Sequence, residues 1–145
     1  MTLDLHDTAA RRLRAVGQRY TPGRRRLVER LDAAAQPQTI PELLGAGNER
    51  VPQSSAYRNL AVLEQAGVVH RIVSNGEFAR YELAEDLTEH HHHLMCSTCG
   101  AVEDFTAPPS LERTLDRLLA DVEAGSGFTI TGHRLDLVGT CGACA

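Results

Sequence analysis

The sequence predicts an α+β protein, an N-terminal winged helix-turn-helix followed by a small α/β domain, on three observations. Apolar residues recur at helical spacing as far as Gly67. Two short runs rich in β-branched and aromatic residues follow, separated by a turn signal, and the last third holds all four cysteines beside four consecutive histidines. The expected boundaries are residues 1–84 for the first domain, 85–89 for a hinge and 90–145 for the second.

In the first domain, Thr21-Pro22 offers an N-cap and a first-turn proline, and Leu27, Val28 and Leu31 then repeat on one helical face. Thr39 opens a second, short helix, with Glu42 three residues on as a capping box and Leu43 and Leu44 as its buried side. A third helix runs through "VPQSSAYRNLAVLEQAG", where Ala56, Leu60 and Leu63 form the apolar stripe and Gly67 is the stop. "VVHRIV" and "FARYEL" read as strands joined by "SNGE", a hairpin signal. Three helices and a hairpin outline a winged helix-turn-helix, whose third helix enters the DNA major groove while the hairpin lies against the backbone. "AEDLTE" has no hydrophobic period and reads as an acidic hinge.

The second domain starts with "HHHLM" as a strand, turns at "CSTCG" and returns along "AVEDF". Pro108-Pro109 breaks the chain before Ser110, the expected cap of a helix whose Leu111, Leu115, Leu118, Leu119 and Val122 share one stripe. "FTITGHRLDLV" reads as a final strand leading to "CGAC".

Charge divides unevenly between the halves. Residues 1–83 hold 12 Arg against 9 acidic residues, a net of +3, and residues 84–145 hold 3 Arg against 10, a net of −7, which suggests different partners for each. The chain has no Lys, read as a composition bias. No stretch approaches the roughly 18 consecutive apolar residues of a membrane span, so the chain is expected to be cytoplasmic, with no membrane partner.

Cys96, Cys99, Cys141 and Cys144 form two Cys-x-x-Cys pairs. Without a signal segment this spacing points to metal thiolates rather than disulfides, and a structural zinc wants four such soft ligands in a tetrahedron. A redox dithiol is the competing reading. The histidine run carries a second argument. Extended backbone points successive side chains to opposite faces, so His91 and His93 look one way and His90 and His92 the other, which makes two pairs and two sites. His133 has the parity of Leu135 and Leu137 in the last strand and is expected to face inward, and Glu112 sits in the first turn of the C-terminal helix, favoured there by the helix dipole.

Taken together, "GQRYTPGRR", "SSAYRNLAVLEQAG", "HHHHLMCSTCG" and "GHRLDLVGTCGAC" resemble the ferric uptake regulator family of bacterial metal-dependent repressors over essentially the whole chain, its zinc uptake regulators most of all. The resemblance implies a homodimer whose second domain is the dimerisation domain, binding AT-rich palindromic operators in double-stranded DNA when metal-loaded. By position, Cys96, Cys99, Cys141 and Cys144 match the family's structural zinc site, His90, His92, Glu112 and His133 its second site, and His91 and His93 the regulatory site at the hinge. There the sequence departs from the pattern. Pro37 stands where iron and peroxide sensors carry a histidine, His70 stands at an aspartate position of zinc sensors and Ala84 at their cysteine position. Glu82 matches a glutamate of iron-type members and Asp104 an aspartate of peroxide sensors. A regulatory metal must bridge the halves to switch their orientation, so at least one of His70 or Glu82 is required, with Asp104 behind them. His70 tips the regulatory metal toward zinc, with iron(II) the alternative.

For DNA, the resemblance implies Tyr57 on thymine methyls, Arg58 on phosphate or base edges, Arg19 in the AT-rich minor groove, and Arg24 with Arg25 and Arg26 on phosphates. The expected function is a metal-dependent homodimeric repressor of metal-homeostasis genes, zinc-responsive, with iron-responsive and peroxide-sensing repressors as alternatives and a zinc-storing or thiol redox protein as the alternative from another class. An enzyme is not expected: a zinc hydrolase or deaminase would show His-x-Glu beside an open ligand set, and no small-molecule substrate is implied.

Overall fold

Apolar side chains at helical spacing draw the first four helices around one core. The computed structural model describes residues 4–45, 53–76 and 78–145. Helix α1 (Leu5–Ala15) starts where the Asp4 carboxylate accepts the His6 N–H and buries Ala9 and Leu13. Sequence analysis missed this helix because three arginines on its outer side mask the apolar stripe. Helix α2 (Pro22–Ala33) is capped by the Thr21 hydroxyl, which accepts from the Arg24 N–H at 3.3 Å, and buries Leu27, Val28 and Leu31. A short strand β1 (Gln38–Thr39) leads into α3 (Ile40–Gly45), opened by the expected Thr39/Glu42 box. Helix α4 (Gln53–Gln65) buries Ala56, Leu60 and Leu63; Val51 and Pro52, with which the third helix was expected to begin, lie outside the described residues. Gly67, at φ 78°, closes it by donating to the Glu64 carbonyl at 3.0 Å while Val68 donates to Leu63 at 2.9 Å.

Strands β2 (Val69–Ile72) and β3 (Arg80–Leu83) form the wing, in an antiparallel sheet of order β1-β3-β2. The strands stop short of the tight "SNGE" turn expected of them: β2 ends at Ile72 and β3 begins at Arg80, and Ser74 and Asn75 bond instead to the far half of the chain (Glu77 lies outside the described residues). Tyr81 and Leu83 face the core, which joins them to Leu13, Leu27, Val28, Ile40, Leu43, Leu60 and Leu63.

A 3₁₀ turn (Glu85–Leu87) occupies the hinge, held to the first half by Arg12, whose guanidinium grips Asp86 and donates to the Gly67 carbonyl at 2.7 Å. Beyond it come β4 (His92–Cys96), β5 (Val102–Phe105), α5 (Pro109–Ser126) and β6 (Asp136–Gly139), with sheet order β5-β4-β6, β4 antiparallel to β5 and parallel to β6. Two expectations are corrected. Ser110 is not the cap of α5, which begins one residue earlier, after Pro108, with no side-chain cap. The last strand is four residues long rather than eleven, since the Ile130 N–H turns back to Glu123 at 3.0 Å, so His133 precedes the strand and its strand parity does not apply.

The second half has almost no apolar interior within one chain. Among its described residues after the hinge, only His92, His93, Cys96, Gly100, Val102 and Ala107 are buried. Of the expected apolar stripe of α5, Leu115 and Leu119 are half-buried while Leu111, Leu118 and Val122 are exposed, the last two by 54 and 55 %, and so are Leu137 and Val138 on β6. Among the described residues no helix is long and apolar enough to cross a membrane.

The first-half core makes a direct prediction. Leu60→Ala removes a wholly buried side chain and is expected to cost about 2–5 kcal/mol, read by urea unfolding monitored through helix content.

Candidate metal centres and nucleic-acid interface

Among the described residues, three groups of metal-ligating side chains lie together, each with donor atoms within 4.8 Å of one another: Cys96, Cys99, Cys141 and Cys144; His90, His92, Glu112 and His133; Glu82, His91, His93 and Asp104.

The cysteines meet because the parallel pairing of β4 with β6 puts Cys96 beside Gly139, two residues before Cys141. Backbone N–H groups of Cys141 and Cys99 donate to the Cys96 sulfur at 3.3 and 3.5 Å, and these bonds lower its pKa to about 6. Cys99 and Cys141 sulfurs stand 3.8 Å apart. Cys144 is pushed the other way, to about 12, by sharing its proton with Cys141 and Cys99. Four sulfurs gathered so closely cannot all ionise unless a cation joins them, so the donor set fits a zinc tetrahedron.

The histidine run splits as an extended chain must. His90 and His92 turn to one side, their ring centroids 4.7 Å apart, and meet His133. Glu112, on the first turn of α5, reaches all three imidazoles through Nε2, at 3.3 Å (His90), 2.6 Å (His92) and 3.0 Å (His133). The His92 hydrogen bond, with the nearby His90 and His133, holds its pKa below the usual carboxylate value. One carboxylate facing three ring nitrogens is a compact cation-ready set.

His91 and His93 turn to the other side and meet Glu82 from β3 and Asp104 from β5. Glu82 lies 3.0 Å from Nε2 of each imidazole, through different oxygens. The His91 Nδ1 bonds to the Glu89 carbonyl at 2.8 Å, which leaves Nε2 to face the carboxylates. Buried His93 Nε2 and Asp104 Oδ1, 3.5 Å apart, have no partner in hydrogen-bonding geometry. Such donor atoms aimed at a common point are what a metal ion satisfies once it displaces their protons, and the set fits one. Burial opposes charge on Glu82, but His93 and His91 outweigh it and its pKa falls; burial likewise opposes charge on the two imidazoles, yet Glu82, with the Glu89 carbonyl for His91, raises both. Asp104 is raised by burial.

Of the residues expected in this third group, Glu82, His91, His93 and Asp104 come together and His70 does not. His70 is the cross-strand partner of Glu82, but its side chain lines a cavity of about 350 Å³ beside the group, next to Arg134, with Nε2 buried and unpartnered. Burial, then Arg134, lowers its pKa and keeps it neutral. Two neighbours escaped the sequence reading. Asp136 faces His93 Nδ1 at 3.4 Å through the β4–β6 register, and Gln36, one residue before Pro37, accepts the Asp104 N–H. Neither shows a sequence signal, because each depends on pairing between distant segments.

On the expected DNA face, Tyr57 and Arg58 are exposed on α4, opposite Ala56, Leu60 and Leu63, and Arg19 is exposed before α2. Arg24 is differently placed: its guanidinium donates to Asn59, Gln18 and the Arg19 carbonyl at 3.1, 3.1 and 2.7 Å, which makes it a strut between α2 and α4 rather than a free cation.

A model of the ferric uptake regulator family matches residues 15–138. The ferric uptake regulation protein of Campylobacter jejuni is 33% identical over 137 residues, covering 91% of this chain and 83% of that protein. The peroxide operon regulator of Bacillus subtilis is 29% identical over 136 residues, covering 92% and 88%. Among solved structures, the Vibrio cholerae ferric uptake regulator superposes with a TM-score of 0.69 at 28% identity, over 89% of this chain and 96% of that one.

The imidazoles of the third group, with pKa values raised above 6.5, hold protons that a metal must displace. Metal affinity there is expected to rise as pH climbs through and above 6.5 and then level off, measured by competition with a chromophoric chelator. In metal-free protein the His–Glu82 pairing stabilises fully below the unfolded imidazole value and is lost as pH rises through the raised one.

Proposed function

Because the chain belongs to the ferric uptake regulator family, and is therefore a metal-responsive transcription regulator rather than an enzyme, we propose that it is a homodimeric repressor that binds AT-rich palindromic DNA when its hinge site is loaded. The division into a winged-helix domain (1–84), hinge (85–89) and dimerisation and metal-binding domain (90–145) belongs to this reading, as do a cytoplasmic location and control of metal-homeostasis genes.

One observation carries it. Among the three groups, only the third draws donors from both halves, Glu82 from the wing and His91, His93 and Asp104 from beyond the hinge. A metal bound there would pull on both halves at once, which is what a switch requires. The cysteine group is the structural zinc site in this reading, and His90, His92, Glu112 and His133 form a second site within the dimerisation domain. Tyr57, Arg58 and Arg19 contact DNA, while Arg24 positions α4.

The donor set bears on the metal. Two imidazoles and two carboxylates, a mixed nitrogen and oxygen set, suit iron(II) as the regulatory ion. Zinc, which the sequence favoured through His70, keeps support from the unpartnered His70 Nε2 on the adjoining cavity. A partner chain answers the uncovered apolar residues of α5 and β6, since one chain leaves them in water.

The test uses a duplex selected by the wild-type protein from a randomised pool. Gel-shift binding is expected with iron(II) or zinc and lost with chelator, with affinity falling steeply as salt rises. Glu82→Ala should keep the structural zinc and lose the metal dependence; metal-dependent binding by this variant equal to wild type would refute the switch. In a separate measurement, Leu118→Glu with Val122→Glu should shift the protein from dimer to monomer in sedimentation, and an unshifted dimer would show that another face joins the copies.

A further inference from the structure

The described tip of the wing is tied to the second half of the chain. Its Ser74 hydroxyl donates to the Gly100 carbonyl at 2.9 Å, the Asn75 amide donates to the Ser97 carbonyl at 3.0 Å, and Arg80 at the wing's return donates to the Gly100 carbonyl at 3.3 Å. All the acceptors belong to the loop that carries Cys96 and Cys99. The two backbones touch as well. Gly100 has φ +78°, and a Cβ there would stand 2.2 Å from the Cα and N of Gly76, closer than any side chain tolerates. The knuckle loop is itself anchored, since Ser97 donates from its N–H and hydroxyl to the Gly139 carbonyl at 2.8 and 3.1 Å.

We propose that the wing tip is latched onto the cysteine knuckle, so that the knuckle parks the wing and must release it for full engagement of DNA. This rests on the repressor reading for its consequence, not for its geometry. A wing serves DNA by offering small polar groups and amides to the phosphate backbone. The single hydroxyl proton of Ser74 cannot serve a phosphate and the Gly100 carbonyl together, and the Asn75 amide is held turned toward Ser97, so latch and DNA compete. The acceptors are carbonyls of a loop whose shape is set by its two cysteines, so the latch holds only while the cysteine cluster is closed. Wing position thereby reports on the integrity of the cysteine site as well as on the hinge.

Two variants break the latch without touching a cysteine: Ser74→Ala removes a donor, and Gly100→Ala drives a methyl group into Gly76. Zinc stoichiometry of each is measured first, and a Gly100→Ala protein that has lost zinc leaves Ser74→Ala to decide alone. In the DNA-free full-length protein, amide hydrogen exchange across residues 73–76 is expected to speed up several-fold in the variants, and also in wild type after removal of the cysteine-bound zinc. Unchanged wing exchange in these proteins overturns the latch. With the hinge metal chelated, the variants should bind the selected duplex about fivefold or more tighter than wild type, a modest allosteric coupling. Equal or weaker metal-free binding alongside faster exchange overturns the competition with DNA. Failure of the repressor reading shows separately, as no duplex binding by the metal-loaded wild type.

Discussion

Four imidazoles follow one another along an extended backbone, and the alternation of that backbone decides the rest. Neighbouring rings cannot converge, so His91 and His93 are delivered to the hinge while His90 and His92 are delivered to α5. Had the segment been helical, residues three and four apart would have shared a face and adjacent rings would have fanned around one axis. Two separate ion-ready groups follow from the opposite turns of successive rings, His90 and His91 just before β4 and His92 and His93 within it, and each group then needs a carboxylate from elsewhere. Glu112 supplies one from the first turn of a helix and Glu82 the other from the wing.

What occupies the interior of the second half follows from the same choice. Its buried positions hold two histidines and a cysteine where a domain of this size would ordinarily bury leucines. A short segment that gives up its apolar core needs another source of stability, and small domains find it in metal ligation or in a second chain. Both are open to this one. Donor atoms lie within 4.8 Å of each other in all three groups, and Leu111, Leu118 and Val122 of α5 stand exposed to water. Without a cation, the hinge group must hold itself together by proton sharing, Glu82 staying charged because His91 and His93 take up protons. That arrangement is serviceable and displaceable, a fitting resting state for a site that must accept an ion.

Much of this was legible in the sequence because the deciding signals are local. The Thr21 cap, the Thr39/Glu42 box, the Gly67 stop and the histidine alternation each depend on a few consecutive residues, and each appears where the spacing put it. The cysteine spacing was equally plain. What escaped depends on pairing across the chain. His70 and Glu82 were equal candidates on adjacent strands, and only the fold turns one carboxylate into the group and leaves the imidazole on the neighbouring cavity. Arg24 read as a cation for phosphate, whereas the approach of α4 gives it Asn59. The stripe of α5 was legible as a face, but periodicity tells which residues share a face, not whether a single chain supplies the surface to cover it.

In the proposed switch, coupling between ion and DNA reduces to the position of one side chain. Glu82 lies on β3, the middle strand of the wing sheet, between Tyr81 and Leu83, whose side chains point the other way into the core with Leu60 and Leu63 of α4. Strand alternation thus makes one residue face the hinge while its two neighbours grip the core that carries α4. A shift of the Glu82 carboxylate cannot be absorbed locally, because close-packed interiors move as units rather than deform. Gln36 and Arg12 add metal-free ties to Asp104 and Asp86 on either side, so the front half is guided over a restricted path instead of tumbling freely. An ion at the hinge therefore has to select between orientations that the protein already limits, which asks less of its binding energy than ordering two unconnected domains would.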